Sequence, residues 1–112
     1  HRDFSGLAAV DREVFLLLDQ KNRVTGVHVV SIGSLAASLV HPREVFLPAI
    51  LHSAASVVLV HNHPSGDPEP SEEDLSITKR LVQVGELLGI GVLDHVIIAS
   101  RGVVSFRSRQ LL

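Results

Sequence analysis

The chain has 112 residues, 46% of them hydrophobic and 20% charged, with a formal net charge of -2; this suits one globular domain with one core and is too short for two. It has no cysteine, which excludes disulfides and thiolate metal sites and leaves histidine and carboxylate to hold any transition metal. No apolar run approaches the roughly 18 residues of a membrane span, no signal peptide opens the chain, and a pI of about 6.4 gives no bulk electrostatic reason to bind nucleic acid.

A cytoplasmic location fits this composition. The first residue is His1 and methionine is absent, so the chain reads as a fragment of a longer protein. Glu13 to Leu18 (EVFLLL) is a strand too apolar for a solvated edge, and therefore central. Asp19 to Arg23 (DQKNR) is a turn, and Val24 to Ile32 returns as the second strand of a hairpin. Gly33 to Leu39 is ambiguous, a loop with a short strand. The stretch HPREVFLPAILHSAA (His41 to Ala55) reads as a helix with Pro42 in its first turn, where a missing N–H costs nothing; Pro48 would kink it or end its first segment. Ser56 to Val60 (SVVLV) is a buried strand running into His61. Ser71 is the N-cap of a long helix, with acids in the first turn where the dipole favours them. Ile77, Leu81, Val84 and Leu88 give that helix one apolar face, and Gly89 or Gly91 ends it. Val92 to Ala99 is a strand, SRG a turn, and Val103 to Phe106 the last strand. The order ββαβαββ predicts a mixed sheet with helices packed on it.

The chemistry concentrates in VHNHPSGDPEPSEEDLSITKRL (Val60 to Leu81). Residues two apart on a strand share a face, so His61 and His63 converge while Asn62 points away. Pro64 stops the strand, and SGDPEP suits a loop held in one shape. Asp74 continues the apolar stripe of the following helix rather than its solvated side. A carboxylate there needs a partner, because an unpaired buried charge is costly. A divalent metal bound by His61 and His63 would be that partner, and a water would complete an open tetrahedral site. Taken singly, the His-x-His pair reads as polar surface, Asp74 as a helix-dipole acid and Ser71 as a cap. The conjunction favours a metal.

The spacing His61-x-His63, seven residues, Ser71-x-x-Asp74 matches the signature of the JAMM, or MPN-plus, metalloproteases. The wider run HNHPSGDPEPSEEDLSITKRLVQVGELLGIGVLDHVIIA closely resembles the bacterial RadC proteins, and the similarity reaches back through SLVHPREVFLPAI to DREVFLLLD, nearly the whole chain. The resemblance implies an α/β fold of the MPN (JAB, cytidine-deaminase-like) type, a mixed β-sheet flanked by helices, spanning 1–112 as the C-terminal part of a longer RadC-like protein. It implies one Zn2+ held by His61, His63 and Asp74. It also implies an upstream glutamate acting through the zinc's water. Glu13, opening the first central strand, suits that position; Glu44 is the rival, and its simplest role is an acid near a helix N-terminus. Glu69, Glu72 and Glu73 are weaker candidates. Ser71 would donate a hydrogen bond to the oxyanion while its oxygen caps the helix. Asp94 and His95, in an LDH stretch that recurs in RadC sequences, read as structural, and His28, His41 and His52 carry no signal.

The function that follows is a zinc-dependent hydrolase, a metallopeptidase acting on a peptide or isopeptide bond of a substrate the sequence does not name. Ubiquitin is not expected for a protein resembling bacterial ones. The alternative is a DNA-repair-associated protein whose MPN domain binds partners or processes nucleic acid. The letters HNH are not the nuclease motif of that name, which spreads its residues over a ββα hairpin, and the charge balance predicts no strong nucleic-acid binding. A metal-free scaffold is a third class, but such scaffolds lack the ligands this chain retains.

Overall fold

The computed structural model describes residues 12–32 and 41–112. Within them lie β1 (Arg12–Leu18), β2 (Val24–Ile32), α1 (Pro42–Leu51), β3 (Ser56–Asn62), α2 (Glu72–Leu88), β4 (Gly91–Ala99) and β5 (Gly102–Ser105), in the order expected from the sequence. The ambiguous stretch Gly33 to Leu39 lies outside the described residues.

The β1–β2 hairpin turns where Asp19 gives the backbone an alternative to the ladder. Its Oδ1 accepts from the amides of Lys21 (2.8 Å) and Arg23 (3.0 Å), and Asn22 takes the left-handed conformation that asparagine tolerates. In the sheet the order is β2-β1-β3-β4-β5, so the apolar β1 is interior as its sequence requires. β3 and β4 are parallel, and every other neighbouring pair is antiparallel. The parallel pair is joined by α2, the crossover such a pair needs.

Helix α1 continues through Pro48, so that residue does not end a first segment. Pro48, seventh of the ten residues of α1, removes only the bond its amide would make to the Glu44 carbonyl, while Val45, Phe46 and Ala49 bury the face around it. The helix stops at Leu51, short of the expected Ala55. Ser53 turns the chain with φ of 53°, and the Ala54 and Ala55 amides bond to Ala49 and Leu18 carbonyls, steering it into β3. Helix α2 ends at Gly89 (φ 74°), while Gly91 already belongs to β4. Leu88 is exposed, contrary to the expected stripe; Gly85 continues the buried face instead, because Phe46 and the Ile90 carbonyl occupy the space beside it.

Both helices bury against one side of the sheet. Phe15 and Leu17 of β1 and Val57 and Leu59 of β3 pack with Val45, Phe46 and Ala49 of α1 and Ile77 and Leu81 of α2. Val14 and Val60 form a smaller cluster on the opposite side. The sheet is mixed and flanked by helices, the α/β architecture the sequence predicts.

Candidate metal centre

The chemistry-bearing side chains meet where β3 ends and α2 begins. β3 reaches Asn62, and the His63 amide still donates to the Ile98 carbonyl of β4 at 2.9 Å. Pro64, which has no N–H to donate, then turns the chain out of the sheet. The loop that follows lies on the β4–β5 turn: the Arg101 amide donates to the Gly66 carbonyl at 3.1 Å. Gly66 has φ of 91°, and a Cβ there would stand 2.8 Å from Ser100 Oγ, so only glycine fits. Glu69 is gripped by Arg109 through two bonds of 2.7 and 2.6 Å. Both partners are exposed, so the pair fixes the loop's place more than it adds stability.

Ser71 caps α2 reciprocally. Its Oγ accepts from the Asp74 amide at 3.1 Å, and its own amide donates to Asp74 Oδ2 at 2.9 Å. An aspartate here fills the place usually given to glutamate in a capping box, and its shorter side chain stays close to the helix end. Asp74 is 1% exposed, on the stripe shared with Ile77 and Leu81.

His61 Nδ1 lies 3.4 Å from Asp74 Oδ1, and His63 Nε2 lies 2.9 Å from Asp74 Oδ2. The two imidazole rings are 4.9 Å apart, edge to face. The three residues offer ligand atoms within 4.8 Å of one another. Donors about 2.0–2.1 Å from a shared tetrahedral centre stand about 3.3 Å apart, so closure on one ion needs only small movements. Burial by itself would raise the Asp74 carboxyl; contact with His61 and the Ser71 amide and hydroxyl outweigh it and hold the group well below the usual carboxylate range.

His63 tests whether a cation belongs here. Its Nδ1 lies 2.9 Å from the Asp67 carbonyl oxygen, which can only accept. The proton of a neutral ring therefore sits on Nδ1, and Nε2 presents a lone pair to the Asp74 carboxylate. Two lone pairs at 2.9 Å call for a positive charge between them or a proton on the ring. A backbone carbonyl that fixes the tautomer so that Nε2 carries the free lone pair is the usual support of a metal-binding histidine. The donor set fits a divalent ion such as zinc.

Glu13 pairs in register with His61 across β1 and β3, so its backbone stands beside the histidine pair. Glu44 is occupied as a cap: its Oε1 accepts from the His41 amide at 3.2 Å. Glu69 is held by Arg109, and Glu72 and Glu73 are exposed on the first turn of α2. His28, His41 and His52 are exposed. Asp94 braces the C-terminal turn, accepting from Ser105 Oγ at 2.6 Å and from the Arg107 amide at 2.9 Å. His95 is fully buried, and burial lowers its pKa to about 4, so it is neutral near pH 7. The sequence reading missed the Asp67 carbonyl, which has no side-chain signature, and Thr78, whose place four residues after Asp74 on the buried stripe was a usable signal.

A shallow cleft of about 320 Å³ opens beside this group, lined by His63, Pro64, Ser65, Asp67, Glu69 and Ser71. A larger hollow of about 520 Å³ runs along α2 past Ser76, Lys79 and Gln83, but it holds no paired imidazole and carboxylate. The smaller cleft is the one with chemistry.

A family model described as the RadC-like JAB domain matches residues 3–111. A UPF0758 protein of Syntrophotalea carbinolica is 58% identical over 102 residues, covering 91% of this chain and 45% of that protein. One of Symbiobacterium thermophilum is 60% identical over 97 residues (87% and 42%), and one of Methanosarcina acetivorans 57% over 97 residues (87% and 42%). The chain spans about half the length of the relatives it matches.

Proposed function

Because the chain belongs to the RadC-like JAB domain family, and because its His-His-Asp group has the donor geometry of a metal site, we propose that it is a zinc-dependent hydrolase that cleaves a peptide or isopeptide bond. The observation that carries this reading is the setting of His63, held by a backbone carbonyl on one nitrogen and facing a buried carboxylate with the other. When bound, the ion would supply Lewis acidity and make a water acidic near neutral pH.

The remaining work falls to the chain's own residues. His61, His63 and Asp74 would hold the ion, and His63 also lines the cleft. Ser71 Oγ is occupied as acceptor by the Asp74 amide, which leaves its O–H to donate to the oxygen that gains charge on the substrate carbonyl. Glu13, in register with His61, takes a proton from the attacking water and returns it to the leaving amine. Glu44, engaged with its helix end, is the poorer base.

The test is a peptide-library digest with the zinc-loaded protein, its chelated form and the Glu13→Gln variant. Cleavage that needs zinc and falls by about 10²-fold or more in Glu13→Gln, with zinc retained, is the expected result. Undiminished cleavage by the chelated protein would refute the metal-dependent reading; undiminished cleavage by Glu13→Gln would reassign the base.

A further inference from the structure

Beneath the metal centre the core holds a polar pair that packing does not require. His95 of β4 is fully buried, and its Nδ1 lies 2.5 Å from Thr78 Oγ1 of α2. Its ring stacks on Phe106 with centroids 4.4 Å apart and lies 6.2 Å from the ring of His61. Leu59 is its register partner on β3, and Ile77 and Leu81 share the buried stripe of Thr78. Such surroundings favour an aromatic or aliphatic side chain. The position instead carries an imidazole whose Nε2 has no hydrogen-bond partner among the described residues. A buried, half-satisfied polar group is costly and calls for an explanation other than stability.

We infer that the Thr78–His95 hydrogen bond is a positioning device for the metal centre, setting the roll of α2 so that the Asp74 carboxylate meets His61 and His63. Thr78 follows Asp74 by four residues, so the two side chains lie one above the other on the same helix face. Side-chain tips on a helix lie about 5–6 Å from its axis, so a roll of about 10° moves the carboxylate by about 1 Å. Functional groups must be held to within about 0.5 Å. The contacts of Ile77 and Leu81 are apolar and non-directional, and they resist such a roll weakly. A hydrogen bond from sheet to helix resists it directly. His95 is itself fixed, since Phe106 stacks on its ring and the Phe106 amide donates to its carbonyl at 2.9 Å. The inference rests on the metal-centre reading above.

Two variants isolate the hydroxyl. Thr78→Ser and Thr78→Ala both lose the methyl group, and only the second loses the hydrogen bond. Zinc affinity would be measured by competition with a chromophoric chelator, and coordination geometry by the visible spectrum of the cobalt(II)-loaded protein. Thr78→Ser should match the wild type in spectrum and affinity, whereas Thr78→Ala should bind about tenfold more weakly, the scale of lost support around a metal ligand, with an altered cobalt spectrum. A Thr78→Val, His95→Phe double variant removes both polar partners while keeping a ring to stack on Phe106, which guards against simple failure to fold; it should lose affinity to the same extent. Equal affinities and spectra for the alanine and serine variants, or wild-type affinity in the double variant, would overturn the inference alone. Absence of zinc binding by the wild type would overturn the metal-centre reading and the inference with it.

Discussion

Asp74→Asn separates the role of this residue in folding from its proposed role in metal binding. In the metal-free protein the asparagine oxygen can still accept from the Ser71 amide, as Oδ2 does at 2.9 Å. The new NH2 then stands where Oδ1 does, beside His61 Nδ1 at 3.4 Å, while the oxygen keeps its place beside His63 Nε2. The capping arrangement survives, and charge-assisted bonds become neutral ones, a loss of about 1 kcal/mol. Metal binding has no such compensation, because a neutral amide replaces the only anion in the ligand set. For the wild type at pH 7.5, free zinc at about 100 times its dissociation constant stabilises the fold by about 2.7 kcal/mol. Each kcal/mol moves the midpoint of a domain this size by roughly 4 °C or more, so the wild-type rise is about 10 °C. Scanning calorimetry with zinc and with chelator should therefore show an Asn variant whose metal-free midpoint lies within about 5 °C of the wild type and does not respond to zinc. An undiminished zinc response would refute the assignment of Asp74 as ligand. A metal-free variant weakened by several kcal/mol would refute the account of its hydrogen bonds.

Three further outcomes are expected. Gly85→Ala gains about 1 kcal/mol of helix propensity, but its Cβ would stand 2.4 Å from the Ile90 carbonyl oxygen, an overlap with backbone that outweighs the gain by about 1–3 kcal/mol; urea unfolding showing a more stable variant would contradict this. Burial lowers the folded pKa of His95 to about 4 from an ordinary 6.5, with His61, Asp74, Asp94 and His63 as the titratable groups around it. The unfolded chain therefore binds the extra proton between those values, and metal-free stability should fall by about 3 kcal/mol as pH drops through that window; the Thr78→Val, His95→Phe double variant should lose that part of the slope, and an unchanged slope would contradict the assignment. For nucleic acid, the net charge of -2 and the engagement of Arg109 with Glu69 and of Arg107 with the Leu93 carbonyl predict no duplex binding beyond the weak non-specific range of about 10⁻⁴–10⁻⁶ M at physiological salt. Tight duplex binding by fluorescence anisotropy would favour a nucleic-acid role.

The sequence exposed what depends on local pattern. EVFLLL and SVVLV are apolar after their first residue and read as interior strands. Ser71 and Asp74 stand at capping distance, and Asp74 falls on the stripe of Ile77 and Leu81, which is why the grouping of Asp74 with His61 and His63 was legible before any coordinates. What stayed hidden depends on contacts between distant segments. The Asp67 carbonyl that orients His63 is backbone and has no letter of its own. Glu69 and Arg109 are forty residues apart, and Thr78 meets His95 only because the crossover lays α2 over β4. The end of α1 at Leu51 is set by hydrogen bonds to Ala49 and Leu18, one of them on another strand. The role proposed for Glu13 rests on its register with His61 and on family resemblance.

The claim on which the rest depends is that His61, His63 and Asp74 together bind one metal ion. X-ray absorption at the zinc K-edge, on protein loaded with one equivalent, reads this directly. The account requires a nitrogen and oxygen shell at about 2.0–2.1 Å with the outer-shell scattering of two imidazoles, reduced to one in His61→Ala and in His63→Ala. A shell without imidazole, or one that neither substitution changes, would place the metal elsewhere and contradict the account.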